Sequence, residues 1–246
     1  MKKKILSLSI VCIQVIRSIG LAGCGAEEAN EVGEQASQNE MTNEVTEQPI
    51  TKIDETKEIV YSVLDKDYEY FGKEIQVKIP AFNINTDEVK ELNSKIEEEY
   101  QKVVESNDTF AATELTYEYY VNNDIISLVI KKVYLESSTN NYAVYNVNQK
   151  TGEVLDKEDI LTAKNITKSE YEEKIAKQIS AKFDENTAAF KEMGGYEELK
   201  EKNNSEENCS LENTEVYLEN NGKLQYIANV YSMAGADKYQ TIFDYE

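Results

Sequence analysis

The residue with the most definite chemistry is Cys24. It follows Leu21-Ala22-Gly23, behind Met1-Lys2-Lys3-Lys4 and an apolar run from Ile5 to Ile16. The lysines make a positive n-region, and the run is too short to span a bilayer. Gln14 and Arg17 interrupt the pattern, but Arg17 lies near its end, where its side chain can snorkel to the interface. The chain has no histidine and no tryptophan, so histidine-based triads, Cys–His dyads and histidine-ligated zinc are excluded. Asp and Glu are abundant, but no pair stands out as a glycosidase couple. Asp65-Lys66-Asp67 lacks the glycine and terminal glutamate of a calcium loop. Gly194-Gly195 lacks the strand-to-helix setting of a phosphate loop. No metal and no cofactor are expected.

Two stretches are candidate binding surfaces. Tyr117, Tyr119 and Tyr120 crowd both faces of one expected strand, and tyrosines can stack on sugars or anchor an interface. Ser232-Met233-Ala234-Gly235-Ala236-Asp237 is rich in small residues, so a ligand can approach its backbone closely around Gly235 and Asp237. The competing readings are inward packing for the tyrosines and a tight connection for the small residues.

The first 24 residues resemble a bacterial lipoprotein signal. The resemblance implies that residues 1–23 are removed and that Cys24 becomes the N-terminus, with lipid on its sulfur and amino group. It also implies that the remainder faces outward from the cell membrane. Cys12 then leaves with the signal, and Cys209 has no internal disulfide partner. Residues 24–50 read as a solvated acidic tether, and residues 51–246 as an α+β extracytoplasmic domain. Residues 51–246 carry 22 lysines against 40 acids, a formal charge of −18. That charge repels nucleic acid and anionic headgroups and favours basic proteins. A single arginine against 25 lysines suggests an AT-rich genome of the low-GC Gram-positive kind.

The elements that must position these residues follow from hydrophobic spacing. Ile59–Val63 reads as a strand, and Tyr68–Phe71 and Glu74–Ile79 as a hairpin around Gly72 stopped by Pro80. Val89, Leu92, Ile96, Tyr100, Val103 and Val104 predict a helix over 87–104, capped by Asn85 or Thr86. Leu115–Val121, Ile125–Leu135 and Tyr142–Asn148 read as a meander. Asp156–Leu161 predicts a short helix. Thr167-Lys168-Ser169-Glu170 has capping-box spacing before Tyr171, Ile175, Ile179 and Phe183. Ala188–Lys202 is ambiguous, and Asn203–Asn208 reads as a loop. Val216–Leu218 and Leu224–Tyr231 flank Asn220-Asn221-Gly222, and Tyr239–Tyr245 closes the sheet. The fold class expected is α+β, a mostly antiparallel sheet with helices packed on one face.

In this order of elements, several segments resemble the extracellular domain of the lysozyme-sensing anti-sigma factor and related domains beside peptidoglycan deacetylases. They are Asn93–Ile96, Asn123–Leu128, Tyr145–Asn148 with Lys150–Leu155, Glu158–Leu161, and Val216–Leu218 with Asn221–Leu224. The likeness runs from about Tyr61 onward. It implies an extracytoplasmic module that binds lysozyme in the sensor and assists a separate catalytic domain in the deacetylases. It transfers no functional residue. The expectation is a non-enzymatic binding module for a basic protein such as lysozyme, or for peptidoglycan. The alternatives are a cell-wall glycan-acting enzyme or its accessory subunit, and an assembly partner of another envelope protein.

Overall fold

The computed structural model describes residues 52–233 and 237–245. The signal at residues 1–23, Cys24, the tether and Gly235 lie outside them. Two sheets form, one of six strands and one of three. The first is ordered β1 (Val60–Tyr70), β2 (Lys73–Phe82), β3 (Thr113–Asn122), β4 (Ile125–Tyr134), β5 (Thr139–Asn148) and β6 (Val154–Leu155). All neighbours are antiparallel except β2 and β3, whose single parallel register pair is Val77 and Leu115. The helix α1 (Asp87–Thr109) lies between them in sequence and returns the chain in the same direction.

The expected hairpin around Gly72 forms, but Pro80 does not stop it. β2 runs on to Phe82. The Phe82 amide, two residues on, points away from β1 to Asn93 Oδ1 at 2.8 Å. Pro80 shares that outward phase, so the ladder loses no donor. Asn93 also donates to the Phe82 carbonyl at 2.8 Å, which clamps α1 to the sheet edge.

α1 starts at Thr86, whose hydroxyl caps the Val89 amide, and buries the six apolar residues of its predicted stripe. It runs five residues beyond the predicted end. Buried Asn107 donates to the Thr113 carbonyl at 2.6 Å and accepts from the Thr113 amide at 3.2 Å, joining the last helical turn to β3. The stripe meets Val77, Ile79, Leu115, Ile126, Leu128 and Ile130 on one face of the large sheet.

The second sheet is β7 (Glu215–Leu218), β8 (Leu224–Tyr231) and β9 (Lys238–Asp244). One of its faces meets the large sheet through Tyr217 and Ile227 against Val129, Tyr142 and Val144. The other carries Val216, Leu218, Tyr226 and Ala228 against α2 (Lys157–Ala163) and α3 (Lys168–Thr187). Thr167 forms the expected reciprocal capping box, and Asp156, expected as the first residue of α2, forms a second one as its N-cap. The ambiguous stretch resolves into a 3-10 turn at Ala188–Phe190 and α4 (Tyr196–Asn203), whose Tyr196 packs on Phe183. The class is α+β, with the strands divided between two sheets and the helices shared between them. Among the described residues no helix is long and apolar enough to cross a membrane.

Candidate functional site

The alternation of β3 separates the three tyrosines. Tyr117 and Tyr119 lean on the α1-side core, while Tyr120 turns to the small sheet and stacks on Tyr217, ring centroids 5.5 Å apart. All three hydroxyls have partners within the chain. Tyr117 shares a 3.0 Å hydrogen bond with Ser62. Tyr119 donates to Glu58 Oε2 at 2.7 Å, and this bond, with burial behind it, pushes its phenol up to about 12. Tyr120 donates to Glu118 Oε2 at 2.6 Å, and burial first, then Glu118, pushes its phenol well above the usual range. Where β2 and β3 diverge, Ser62, Lys78 and Tyr117–Tyr120 line an open depression.

Asp237 is exposed and sits far from these rings. It precedes β9 where Tyr231 pairs with Lys238, whereas Tyr217 pairs with Gln225 at the other end of the β8 ladder. At strand rise that is a separation of roughly 20 Å. The two candidate surfaces are therefore separate, and Gly235 lies outside the described residues.

Another cleft, of about 460 Å³, lies where three chain-distant segments converge. Val144–Asn146 of β5 form one wall and Val154–Glu158 a second. A third comes from Leu211 and Glu212 in a 3-10 turn (Leu211–Asn213) with Glu215 at the start of β7. Val144, Leu155 and Leu211 supply apolar lining with Val154 exposed at the mouth; Glu158 and Glu212 stand exposed on the rim, Glu215 is set into the wall, and Asp156 is turned to capping α2. Two cations answer these acids: Lys157 lies 3.3 Å from Glu215 and donates to the Glu212 carbonyl at 3.0 Å, and Lys168 pairs with the Glu212 carboxylate. Burial pushes the Glu215 carboxyl above its ordinary value, with Lys157 pulling the other way. An apolar floor under a carboxylate rim suits the stem and charged head of a lysine or arginine side chain. Sequence reasoning missed this cleft because each wall, taken alone, reads as an ordinary turn or strand end. Glu215 in a β-branched and aromatic strand was the available signal. Among the described residues no three His, Cys, Asp or Glu side chains are grouped to hold a metal.

Two turns of the chain act as joints. Gly152, at φ +68°, turns the β5–β6 connection against Thr86, which donates to its carbonyl at 3.0 Å. The Val154 amide then bonds to Glu88 Oε2 at 3.1 Å. In the β7–β8 turn, Asn220 Oδ1 accepts from the Val121 amide at 2.7 Å, and Lys164 donates to the Gly222 carbonyl at 2.8 Å. Cys209 is buried among α3 and β7 residues, with burial pushing its thiol up to about 11.

No protein-family model matches the chain, and a search of curated proteins finds no significant match.

Proposed function

We propose that this chain is a lipoprotein held through Cys24 at the outer face of a bacterial membrane, and that its α+β domain binds a basic protein such as lysozyme at the cell envelope without doing chemistry on it. The acid-rimmed cleft carries the reading. Its lining sets Val144, Leu155 and Leu211 beside Glu158, Glu212 and Glu215, with Lys157 the one lysine among the lining residues and Lys168 paired to Glu212 from outside it. The excess negative charge of residues 51–246 supports it, because a field of one sign accelerates encounter with a partner of the other. The signal-like residues 1–24 support the location.

Calorimetric titration of the full chain with lysozyme at low and moderate salt tests the binding. Association that weakens as salt rises is expected. Glu212→Gln with Glu158→Gln should weaken it further without unfolding the protein, since both side chains stand on the rim. No heat at either salt removes the lysozyme reading, and release of sugar or acetate from added peptidoglycan would replace it with an enzymatic one. Membrane fractionation of a Cys24→Ala chain tests the anchor, with loss from the membrane expected.

A further inference from the structure

The β1–β2 hairpin ends in a two-residue turn, Phe71-Gly72, closed by the Tyr70–Lys73 pair. Both residues sit at positive φ, +49° and +80°, the signature of a type I′ turn. Asn or Asp suits the first position, because a short polar side chain tolerates the left-handed region. A bulky aromatic there is a backbone outlier. The ring gains little from the fold in return, since Phe71 is 87% exposed. It rests edge-on against Tyr70, centroids 4.7 Å apart, and Tyr70 in turn meets the half-exposed Phe110 at 5.9 Å. One pair back from the turn, Glu69 lies directly opposite Glu74, both exposed, an unfavourable cross-strand juxtaposition. The tip thus combines a strained, solvent-facing aromatic with two facing carboxylates, and neither choice helps the hairpin.

We propose that this tip is a binding anchor, in which Phe71, backed by Tyr70 and Phe110, enters an apolar pocket on a basic protein while Glu69 and Glu74 meet cationic groups at the pocket rim. Strain held at an exposed position is the form that a binding contact takes when the fold does not need it. Aromatic side chains supply most of the energy of such contacts. Glu69 and Glu74 outnumber Lys73 at the tip, and this excess selects a basic protein over a membrane, since an anionic leaflet would repel it. The inference rests on the reading that the partner is a basic protein, and it adds a second contact point apart from the cleft.

Phe71→Asn separates binding from folding. In the full chain it should raise the thermal midpoint by about 2–4 °C, because Asn-Gly suits the turn. A fall would show that Phe71 holds the hairpin, and would overturn the proposal. Against lysozyme, Phe71→Asn should bind at least about ten-fold more weakly than wild type. Glu69→Gln should weaken binding at low salt only. Equal binding by wild type and Phe71→Asn overturns the anchor while leaving the proposed function standing. Binding to anionic vesicles that disappears in Phe71→Asn overturns it in favour of a membrane contact. If wild type does not bind lysozyme at all, the lysozyme reading fails by itself. The anchor is then decided by a photo-crosslinker in cells at position 71, against a control at exposed Glu97. One adduct specific to position 71, identified by mass spectrometry as a basic protein, upholds it. No adduct, or the same adducts at both positions, overturns it.

Discussion

Glu215 Oε1 lies 3.3 Å from Lys157 Nζ, yet the carboxyl is harder to ionise than a free glutamate. Half-burial in the cleft outweighs a lysine that is shared with the Glu212 carbonyl. An acid whose folded pKa exceeds its unfolded value takes up its proton first in the native state. Its contribution therefore improves as pH falls through the folded value, and its penalty is complete above it. Glu215→Gln should match or exceed the stability of wild type at about pH 7 and lose that advantage by about pH 4. Urea denaturation at the two pH values measures this. Lys157→Met should drive the Glu215 carboxyl higher still, read by carboxyl NMR titration.

Ser127 and Asn146 face each other across β4 and β5 and share a 2.7 Å hydrogen bond, both fully or nearly buried. Together they satisfy the free edge of β7: the Leu218 amide donates to Ser127 Oγ at 3.1 Å, and Asn146 donates to the Val216 carbonyl at 3.0 Å. Removing either leaves a buried backbone group unmet, so Ser127→Ala and Asn146→Ala should each cost about 1–3 kcal/mol. The double variant should cost less than the sum, because the two side chains share one network. Chemical denaturation of the four proteins closes the cycle.

Gly152 and Gly72 both need positive φ, but their surroundings differ. A Cβ on Gly152 would lie 2.3 Å from Thr86 Cγ2, whereas one on Gly72 meets nothing within 4 Å. Gly152→Ala therefore combines strain with a clash at the residue that caps α1, and should cost more than about 2 kcal/mol. Gly72→Ala carries strain alone and should cost about 1 kcal/mol. Thermal melts of the pair test the difference. Equal losses would mean that the Gly152–Thr86 joint is not close-packed.

The local signals were legible because they depend on near neighbours in sequence. The α1 stripe, the Thr167 cap and the Asn220–Gly222 turn all rest on side chains a few residues apart. The division into two sheets was not legible. It turns on Ser127 and Asn146, polar residues in strands that meet β7 some seventy to ninety positions away. The Asn203–Asn208 loop forms as expected from Asn204 onward, but its asparagines do not all face water. Asn203 and Asn208 are buried, where Asn208 donates to the Asn203 and Asn229 carbonyls and Asn203 accepts from the Tyr231 amide. An asparagine that replaces a missing ladder partner looks, in sequence, like one facing water. The cleft stayed hidden because its acids lie on three segments. Phe71 stayed hidden because Gly72 alone announces the hairpin, and nothing in the spacing marks the residue before it as one held at positive φ.

Cys209 offers a test of how firmly the second core is closed. Its thiol is buried against Ile179 and Leu211, and burial alone pushes it up to about 11. At about pH 8 a free thiol is partly ionised and alkylates readily, whereas Cys209 is both shielded and protonated. Mass-spectrometric mapping after iodoacetamide treatment should find Cys209 unmodified in native buffer and fully modified in urea. Its slow native labelling should follow the unfolding equilibrium, so that the Ser127→Ala and Asn146→Ala proteins label faster in proportion to their lost stability. Labelling at the rate of an unstructured thiol would mean that α3 and the small sheet do not enclose the side chain.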